Sequence, residues 1–495
     1  MSRAAAAGGP TRPPRRGGAA RTRGGAAGTA PARGRPKVAD PARTVAYETL
    51  RAVDERDAYA NLVLPVLLRR AHLPPRDAAL ATELAYGALR GRGTYDAVLA
   101  ASVDRPLAEL DPGVLDALRL GAHQLLATRV PPHAAVSTTV DLVRVTSGAG
   151  ASRFANAVLR RVGERDLAAW LAAVAPDAAA DPDGHLAVTT SHPGWIVRAL
   201  RDALRVAGRP ADDLPALLAA HNERPRVAVA ALPGLADLGE LTGAGAEPGV
   251  LSPVGATLTG APDAVAAIAE GRARVQDEGS QAVTLALVAA PVTGDDAGAW
   301  LDLCAGPGGK AALLAATLAA GDHPAAGLVA VEVLEHRAEL VRRALAPVPG
   351  DHEVRVGDGR DSAEPGRYDR VLVDAPCTGL GALRRRPEAR WRRTPADLAT
   401  LGPLQRDLLR AGLDAARPGG VVAYVTCSPH PAETSAVVQD VLRRRDDAEQ
   451  VDARPALEAA TGGRAHDLGA GPAVQLWPDV HGTDAMYLAL VRRTG

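Results

Sequence analysis

Three cysteines stand in a chain of 495 residues, and each sits among neighbours that could put a thiol to use. Cys304 lies in Asp302-Leu-Cys-Ala-Gly-Pro-Gly-Gly-Lys310, Cys377 in Asp374-Ala-Pro-Cys-Thr-Gly379, and Cys427 in Val425-Thr-Cys-Ser-Pro429. Glycines at the start of a helix let the backbone approach an anionic or polar ligand. Thiols at the ends of apolar runs are presented where strands stop, a place from which a nucleophile can act. A cysteine after a valine-rich strand is ordinarily a small buried hydrophobe. For Cys304 that loop-packing role is as good an account as chemistry, whereas the Asp-Ala-Pro before Cys377 and the Thr and Ser around Cys427 favour chemistry. The lysines are Lys37 and Lys310. One of them therefore closes the glycine-rich loop, in a chain that uses arginine almost everywhere else.

The loop from Cys304 through Ala305, Gly306, Pro307, Gly308 and Gly309 to Lys310 is not a nucleotide-triphosphate loop. That pattern needs Gly where Cys304 stands and Ser or Thr where Ala311 stands, and a dinucleotide site needs Gly-x-Gly-x-x-Gly. The segment fits a strand, a glycine turn and a helix, with an acid, Glu332, ending the next strand. Glu332 can take both ribose hydroxyls of an adenosyl ligand. Asp358, in Val356-Gly-Asp-Gly359 after the third strand, can reach an adenine amino group, although alone it would read as a turn residue. Cys304–Lys310, Glu332, Asp358 and Asp374 in register select S-adenosylmethionine as the ligand.

The elements that must hold these residues follow from periodicity. From residue 40 to 165 apolar residues recur at three- and four-residue steps, as in Ala46, Leu50 and Val53 or Leu80, Leu84 and Ala88, with breakers at 73–75, 111–113, 130–132 and 147–150. This is an all-α bundle. Residues 166–272 mix a helix near Ile196–Leu204 with short valine-rich runs at 226–232 and 251–258, which makes a small α+β connector. From 273 to 495 strands and helices alternate, with strand candidates at 299–303, 328–333, 353–356, 370–373, 420–426, 473–477 and 486–491. Such alternation is an α/β, Rossmann-like doubly wound sheet, whose ligands bind beyond the carboxyl ends of its strands.

Net charge is zero, but its distribution is uneven. Residues 1–39 carry Arg3, Arg12, Arg15, Arg16, Arg21, Arg23, Arg33, Arg35 and Lys37 with no acid. They are expected to form a disordered basic tail, either a loose contact with nucleic acid or a solubilising leader. The chain lacks the apolar core of a secretory signal and any membrane-length apolar run, so it is expected to be cytosolic. Widely spaced cysteines in odd number exclude a disulfide framework, and no metal site is expected.

The wording of the motifs also resembles a known family. Residues 76–90 (Arg-Asp-Ala-Ala-Leu-Ala-Thr-Glu-Leu-Ala-Tyr-Gly-Ala-Leu-Arg), with 118–126, 130–136 and 154–161, resemble the NusB-like RNA-binding domain. The second half resembles the RNA 5-methylcytosine methyltransferases, and the whole from about Ala42 to Arg492 is similar to the RsmB (Sun) type that modifies 16S ribosomal RNA. The resemblance implies that Cys304–Lys310, Glu332, Asp358 and Asp374 bind the cofactor. It also implies that Cys427 is the nucleophile, that Asp374 assists catalysis, and that Cys377 helps release the product. Departures are mild. Gly306 stands where the family usually has Ala, Ala485-Met-Tyr487 replaces a Gly-Phe-Phe-like run, and Val227–Ala230 replaces a Leu-Arg-Val-Asn-like run.

That chemistry accounts for the residue types. Cytosine C5 becomes nucleophilic once a thiolate adds to C6, and an ordinary thiol, with a pKa of about 8.5, needs help to ionise at neutral pH. Asp374, protonated or sharing a proton with the base, would hydrogen-bond N3 and the amino group. Arg384, Arg385, Arg386, Arg390 and Trp391 form a basic aromatic cluster expected to contact RNA phosphates. Two alternatives remain open from the sequence: the same reaction on tRNA or another RNA, and a non-catalytic RNA-binding or antitermination factor. Intact Cys377, Cys427, Asp374 and Lys310 weigh against the second.

Overall fold

A mixed sheet runs through the second half of the chain, and its strand order decides where the reactive side chains meet. The structure, a computed structural model, describes residues 39–321 and 327–495. The basic tail expected at 1–39 lies, but for its last residue, outside the described residues.

The first module consists of α1 Pro41–Arg56, α2 Ala60–Ala71, α3 Pro75–Arg90, α4 Arg92–Ala100, α5 Pro112–Ala127 and α6 Pro132–Val162. Local chemistry starts them: Asp40 and Asp111 accept from the backbone N–H groups of Arg43 and Val114, with proline at the first helical position. α6 breaks at Gly148, where φ is +90°, inside the 147–150 breaker. The positions spaced by three and four supply the core, among them Leu50, Val53, Leu84, Ala88, Leu118, Leu142 and Leu159.

In the connector, the helix Gly194–Val206 buries Ile196, Val197, Leu200 and Leu204 against Leu380, Leu383 and Trp477. A four-stranded antiparallel sheet follows, built from β1 Val227–Ala231, β2 Glu247–Pro248, β3 Gly255–Leu258 and β4 Ala273–Val275 in the order β2-β3-β1-β4. Its last strand pairs Val229–Ala231 with Ala273–Val275, so this sheet reaches a few residues past 272.

The large sheet contains β5 Ala299–Asp302, β6 Gly327–Glu332, β7 Asp351–Val356, β8 Tyr368–Asp374, β9 Ala416–Thr426, β10 Ala448–Val451, β11 Val474–Gln475 and β12 Tyr487–Arg493. The order is β10-β12-β9-β8-β5-β6-β7, with β11 beside β12. β5 to β9 are parallel, while β12 is antiparallel to β9. The chain runs outward from β5 through β6 to β7, then crosses to the other side of β5 to make β8. A crevice opens beyond the strand ends at that reversal. The α/β expectation holds, and β10, a short polar edge strand, is the element the periodicity did not signal.

The arginine-rich segment joins these parts. Arg390 is fully buried, and its guanidinium donates to Arg90 O (3.2 Å), Ser191 O (3.0 Å), Asn222 Oδ1 (2.8 Å) and His221 O (2.8 Å). Arg392 donates to Val53 O at 2.9 Å and Asp57 O at 2.8 Å, and Glu388 accepts from Ala60 N at 3.0 Å. Arg390 therefore cannot reach a phosphate as the sequence led us to expect. Carbonyl dipoles have replaced its water, and burial, with Arg90 nearby, pushes its pKa down to about 9. Arg390→Met should destabilise the full chain by about 2–4 kcal/mol, because buried acceptors lose their donor. Urea unfolding checks this, and an unchanged midpoint would remove Arg390 from the joint.

Candidate active site

The strand ends at the reversal carry the acids and thiols. Asp302 ends β5, Glu332 ends β6, Asp374 ends β8, and Cys427 follows β9. Between β5 and the helix Gly309–Ala320, the glycine loop turns sharply. Gly308 has φ +103°, and a Cβ there would lie 2.6 Å from Ala344 Cβ and 3.1 Å from the Val341 backbone, so only glycine fits. At Gly306 a Cβ would fall 2.0 Å from Glu332 Oε2, which ties the absence of a side chain there to the present position of Glu332.

Lys310 reaches across from the loop to donate to Asp374 Oδ2 at 2.8 Å. Burial works against its charge, but Asp374 more than offsets this and holds the ammonium above its usual range. Cys377 and Cys427 lie with their sulfurs 3.4 Å apart. The hydrogen bond from the Cys377 thiol lowers the pKa of Cys427 against the effect of burial, with Lys310 and Arg386 adding positive charge. The same bond, burial and the Glu433 charge drive Cys377 far up. The pairing thus favours ionisation of Cys427 over that of Cys377. Cys304 is the opposite of a nucleophile, since burial and then Asp302, Asp374 and Glu332 push its thiol well up.

The Cys377 loop is held from below by Glu433, a fully buried carboxylate that had no signal in the sequence. Its Oε1 accepts from Thr378 N at 2.7 Å and from Gln405 Nε2 at 3.2 Å, and Gln405 also donates to Pro376 O at 2.8 Å. The Cys427 carbonyl accepts from Gly381 N at 2.9 Å. Both thiol-bearing loops are therefore pinned by backbone bonds rather than left to their side chains.

Other expected residues stand differently. Glu332 is buried, accepting from Leu334 N at 3.0 Å, with Arg337 at 3.5 Å and the same guanidinium on Gly306 O at 2.6 Å. Asp358 gives both carboxylate oxygens to Arg360, at 2.9 and 2.6 Å, which pulls its pKa down to about 2. Arg384 and Arg385 form a buried quartet with Asp277 and Asp484, so their charge is spent within the protein. Arg386 is exposed with its guanidinium 5.1 Å from the Tyr59 ring centroid, and the Trp391 ring has Arg92 over it at 5.9 Å. Of the arginines in that cluster, Arg386 is the one that keeps a free charge near the thiols.

A cavity of about 540 Å³ joins Lys310, Asp374 and Cys427 to Gln276, to Arg226 of the connector and to Tyr86 of α3. Asp302, at the end of β5, is fully buried and accepts from Cys304 N at 3.3 Å, with Oδ2 unpartnered. Among the described residues no cluster of His, Cys, Asp and Glu could hold a metal, and no helix is long and apolar enough to cross a membrane.

A doubly wound sheet with a glycine loop after its first strand, and a thiol pair at the reversal of strand order, defines a Rossmann-like methyltransferase carrying an additional helical domain. The comparisons agree. The NusB family matches residues 40–164, and the family described as 16S rRNA methyltransferase RsmB/F matches 286–492. Ribosomal RNA small subunit methyltransferase B of Salmonella paratyphi B is 31% identical over 417 residues, 82% of this chain and 91% of that protein. A Mycobacterium tuberculosis protein whose name describes a methyltransferase is 53% identical over 456 residues, 92% of this chain and 97% of its own length. The crystal structure of PH0851 shares the fold over 92% of this chain and 100% of its own, with a TM-score of 0.73 at 22% identity. The chain belongs to the RsmB/F family of methyltransferases, with a NusB-family domain in front.

The buried acid gives a pH test. Burial first, then Asp374, raises Asp302 to about 7, above the roughly 3.9 of an unfolded aspartate. Ionising it costs stability. That cost is absent below about pH 4 and complete above about pH 7, so Asp302→Asn should remove a loss of about 2–3 kcal/mol between pH 5 and pH 8. Denaturant melts at the two pH values read it, and parallel behaviour of both proteins would place Asp302 ionised throughout.

Proposed function

We propose that this enzyme methylates C5 of cytosine in RNA, with 16S ribosomal RNA as substrate, using S-adenosylmethionine and a covalent bond between Cys427 and the base. The observation that carries the reading is the sulfur pair at 3.4 Å beside the Lys310–Asp374 pair, because two thiols in unequal states suit the two ends of one reaction cycle. The relatives named ribosomal RNA small subunit methyltransferase B support RNA, and ribosomal RNA within it. The cytosolic location expected from the sequence belongs to the same proposal.

S-adenosylmethionine, when bound, supplies an electrophilic methyl group. The residues that would hold it are the Cys304–Lys310 loop, Glu332, Asp358 and Asp374. The fit rests on the unpartnered Asp302 Oδ2, an acceptor suited to an ammonium or hydroxyl donor, and on the carboxylates ending adjacent strands. Glu332 and Asp358 are engaged by Arg337 and Arg360, so each would exchange an arginine for the ligand.

Cys427 Sγ adds to C6 of a base exposed from its stack. The C5=C6 π electrons move to C5, which takes the methyl group. The C5 proton then passes to solvent, the C5–H electron pair restores the double bond, and Sγ is expelled as a thiolate. Cys377, hydrogen-bonded to Cys427, would assist this release, and Asp374, held by Lys310 and sharing a proton with the base, would hydrogen-bond N3 and the amino group.

Cys427→Ala should abolish methylation and any covalent complex. Cys377→Ala should allow attack and transfer but slow release, so that a protein–RNA adduct persists on a denaturing gel with cofactor present. Adduct in the first variant and none in the second would reverse the roles, and full methylation by both would remove the thiol mechanism. In a separate test, Glu332→Ala should weaken cofactor binding by about 1–3 kcal/mol, as charge-assisted hydrogen bonds are lost. Calorimetry with unchanged affinity would take Glu332 out of the site.

A further inference from the structure

The wall of the cavity opposite the thiols belongs to the helical module. Glu83, Tyr86 and Arg90 of α3 line it together with Arg224 and Arg386, and the spacing of three and four places the α3 residues on one helix face. Arg90 has no carboxylate within ion-pair distance among the described residues, and Glu83 acts on it only at longer range. Its Nε is sealed from solvent with no acceptor, and its guanidinium makes no ion pair with a described residue. The acid that lines the same wall is engaged elsewhere, since Glu83 has Oε1 3.7 Å from His123 Nε2 and Oε2 3.9 Å from Arg224. Arg386 likewise has a ring partner and no carboxylate. Tyr86 has its hydroxyl pushed up to about 12, chiefly by burial, so it presents a neutral ring and O–H donor.

A half-buried guanidinium lacking an acceptor is costly unless an anion completes it. Its position is not an accident of a loose side chain, because Arg390 grips the Arg90 carbonyl and fixes the end of α3 against the catalytic domain.

We infer that Arg90 and Tyr86 form a nucleotide subsite inside the catalytic cavity, in which Arg90 takes the RNA phosphodiester next to the target nucleotide and the Tyr86 ring takes the adjoining base. The inference rests on the proposed RNA reaction and makes the helical module part of the active site rather than a remote tether. Arg386, which adds positive charge at Cys427, lines the same cavity as Arg90. The same anion chemistry could come from the carboxylate of the cofactor, and the experiment separates the two.

Full-length Arg90→Gln, Arg90→Lys and Tyr86→Leu are compared with the wild type. Three measurements are made: calorimetry with S-adenosylmethionine, binding of a cytidine-containing single-stranded RNA oligonucleotide across a salt series, and KM and kcat on 16S rRNA from a strain lacking the gene. Arg90→Gln should keep cofactor affinity, lose about tenfold in RNA affinity, and flatten the log–log salt slope by about 0.7. Arg90→Lys should restore the slope but only part of the affinity. Tyr86→Leu should lose about tenfold with the slope unchanged, as expected for stacking, and it carries the test alone if Arg90→Gln does not fold. Unchanged RNA affinity in the folded variants overturns the inference. So does a drop confined to cofactor affinity, which would assign Arg90 to the cofactor. A wild-type protein that leaves cytosine unmodified is a failure of the proposed reaction, visible independently of these differences between variants.

Discussion

The fold depends on a cation placed where no carboxylate meets it. Arg390 brings together the end of α3, the Ser191 turn and the His221–Asn222 turn, elements from three regions of the chain. A carboxylate partner would fix one contact, whereas the planar fork of guanidinium donors satisfies several carbonyls at once. Those carbonyls lie at the ends of elements, where backbone acceptors have no intrahelical donor. The two histidines at this joint, His192 and His221, are held neutral, their pKa values lowered first by burial and then by Arg390. The cluster therefore carries a single positive charge, and it orients α3 so that its polar face closes one side of the catalytic cavity.

Inside the cavity the electrostatics divide into separate compartments. Asp277, Asp484, Arg384 and Arg385 cancel one another, which lets the chain bury four charges beside the site without leaving a field across it. Lys310 and Asp374 do the same at the strand ends. At Cys427 the hydrogen bond with Cys377 is the main favourable effect, and Lys310 and Arg386 add positive charge against burial and Asp374. Burial acts on Cys304 and Cys427 alike, and their partners separate them. Cys304 is pushed up by burial and then by Asp302, Asp374 and Glu332, while Cys427 comes down chiefly through the hydrogen bond with Cys377, with Lys310 and Arg386 adding to it.

Much of this was legible from local spacing. The parallel strands, the glycine turn and the three cysteine segments are encoded within a few residues of one another, and the apolar periods of the first module select a helical bundle. The rule for alternating strands and helices supplied the doubly wound class but not the strand order, and it is the order that brings Asp374 next to Lys310 across 64 positions. What local patterns could not reveal is the use of charge over long separations. A run of arginines near a tryptophan reads as a nucleic-acid surface, but whether each guanidinium meets phosphate or carbonyl depends on elements 160 to 340 positions away, as the bonds of Arg390 to His221 and of Arg392 to Val53 demonstrate. Glu433 was equally invisible. It is an acid in a short turn, and its role with Thr378 and Gln405 exists only once β8 and β9 are adjacent.

The composition makes the same point about mechanism. A chain nearly without lysine must use arginine for joints, ion pairs and ligand contacts alike, so residue type alone carries little information about role. Desolvation separates the roles. An arginine whose terminal nitrogens find carbonyls holds the structure together, one matched to carboxylates is neutralised, and one left partly desolvated with neither retains a charge for something that arrives from outside. Arg390, Arg384 and Arg90 occupy these three conditions, the first two close together in one segment and the third 300 positions before Arg390. The distinction is physical, and it predicts different consequences for the same substitution: loss of folding at the first, a buried carboxylate stranded at the second, and a change confined to binding at the third.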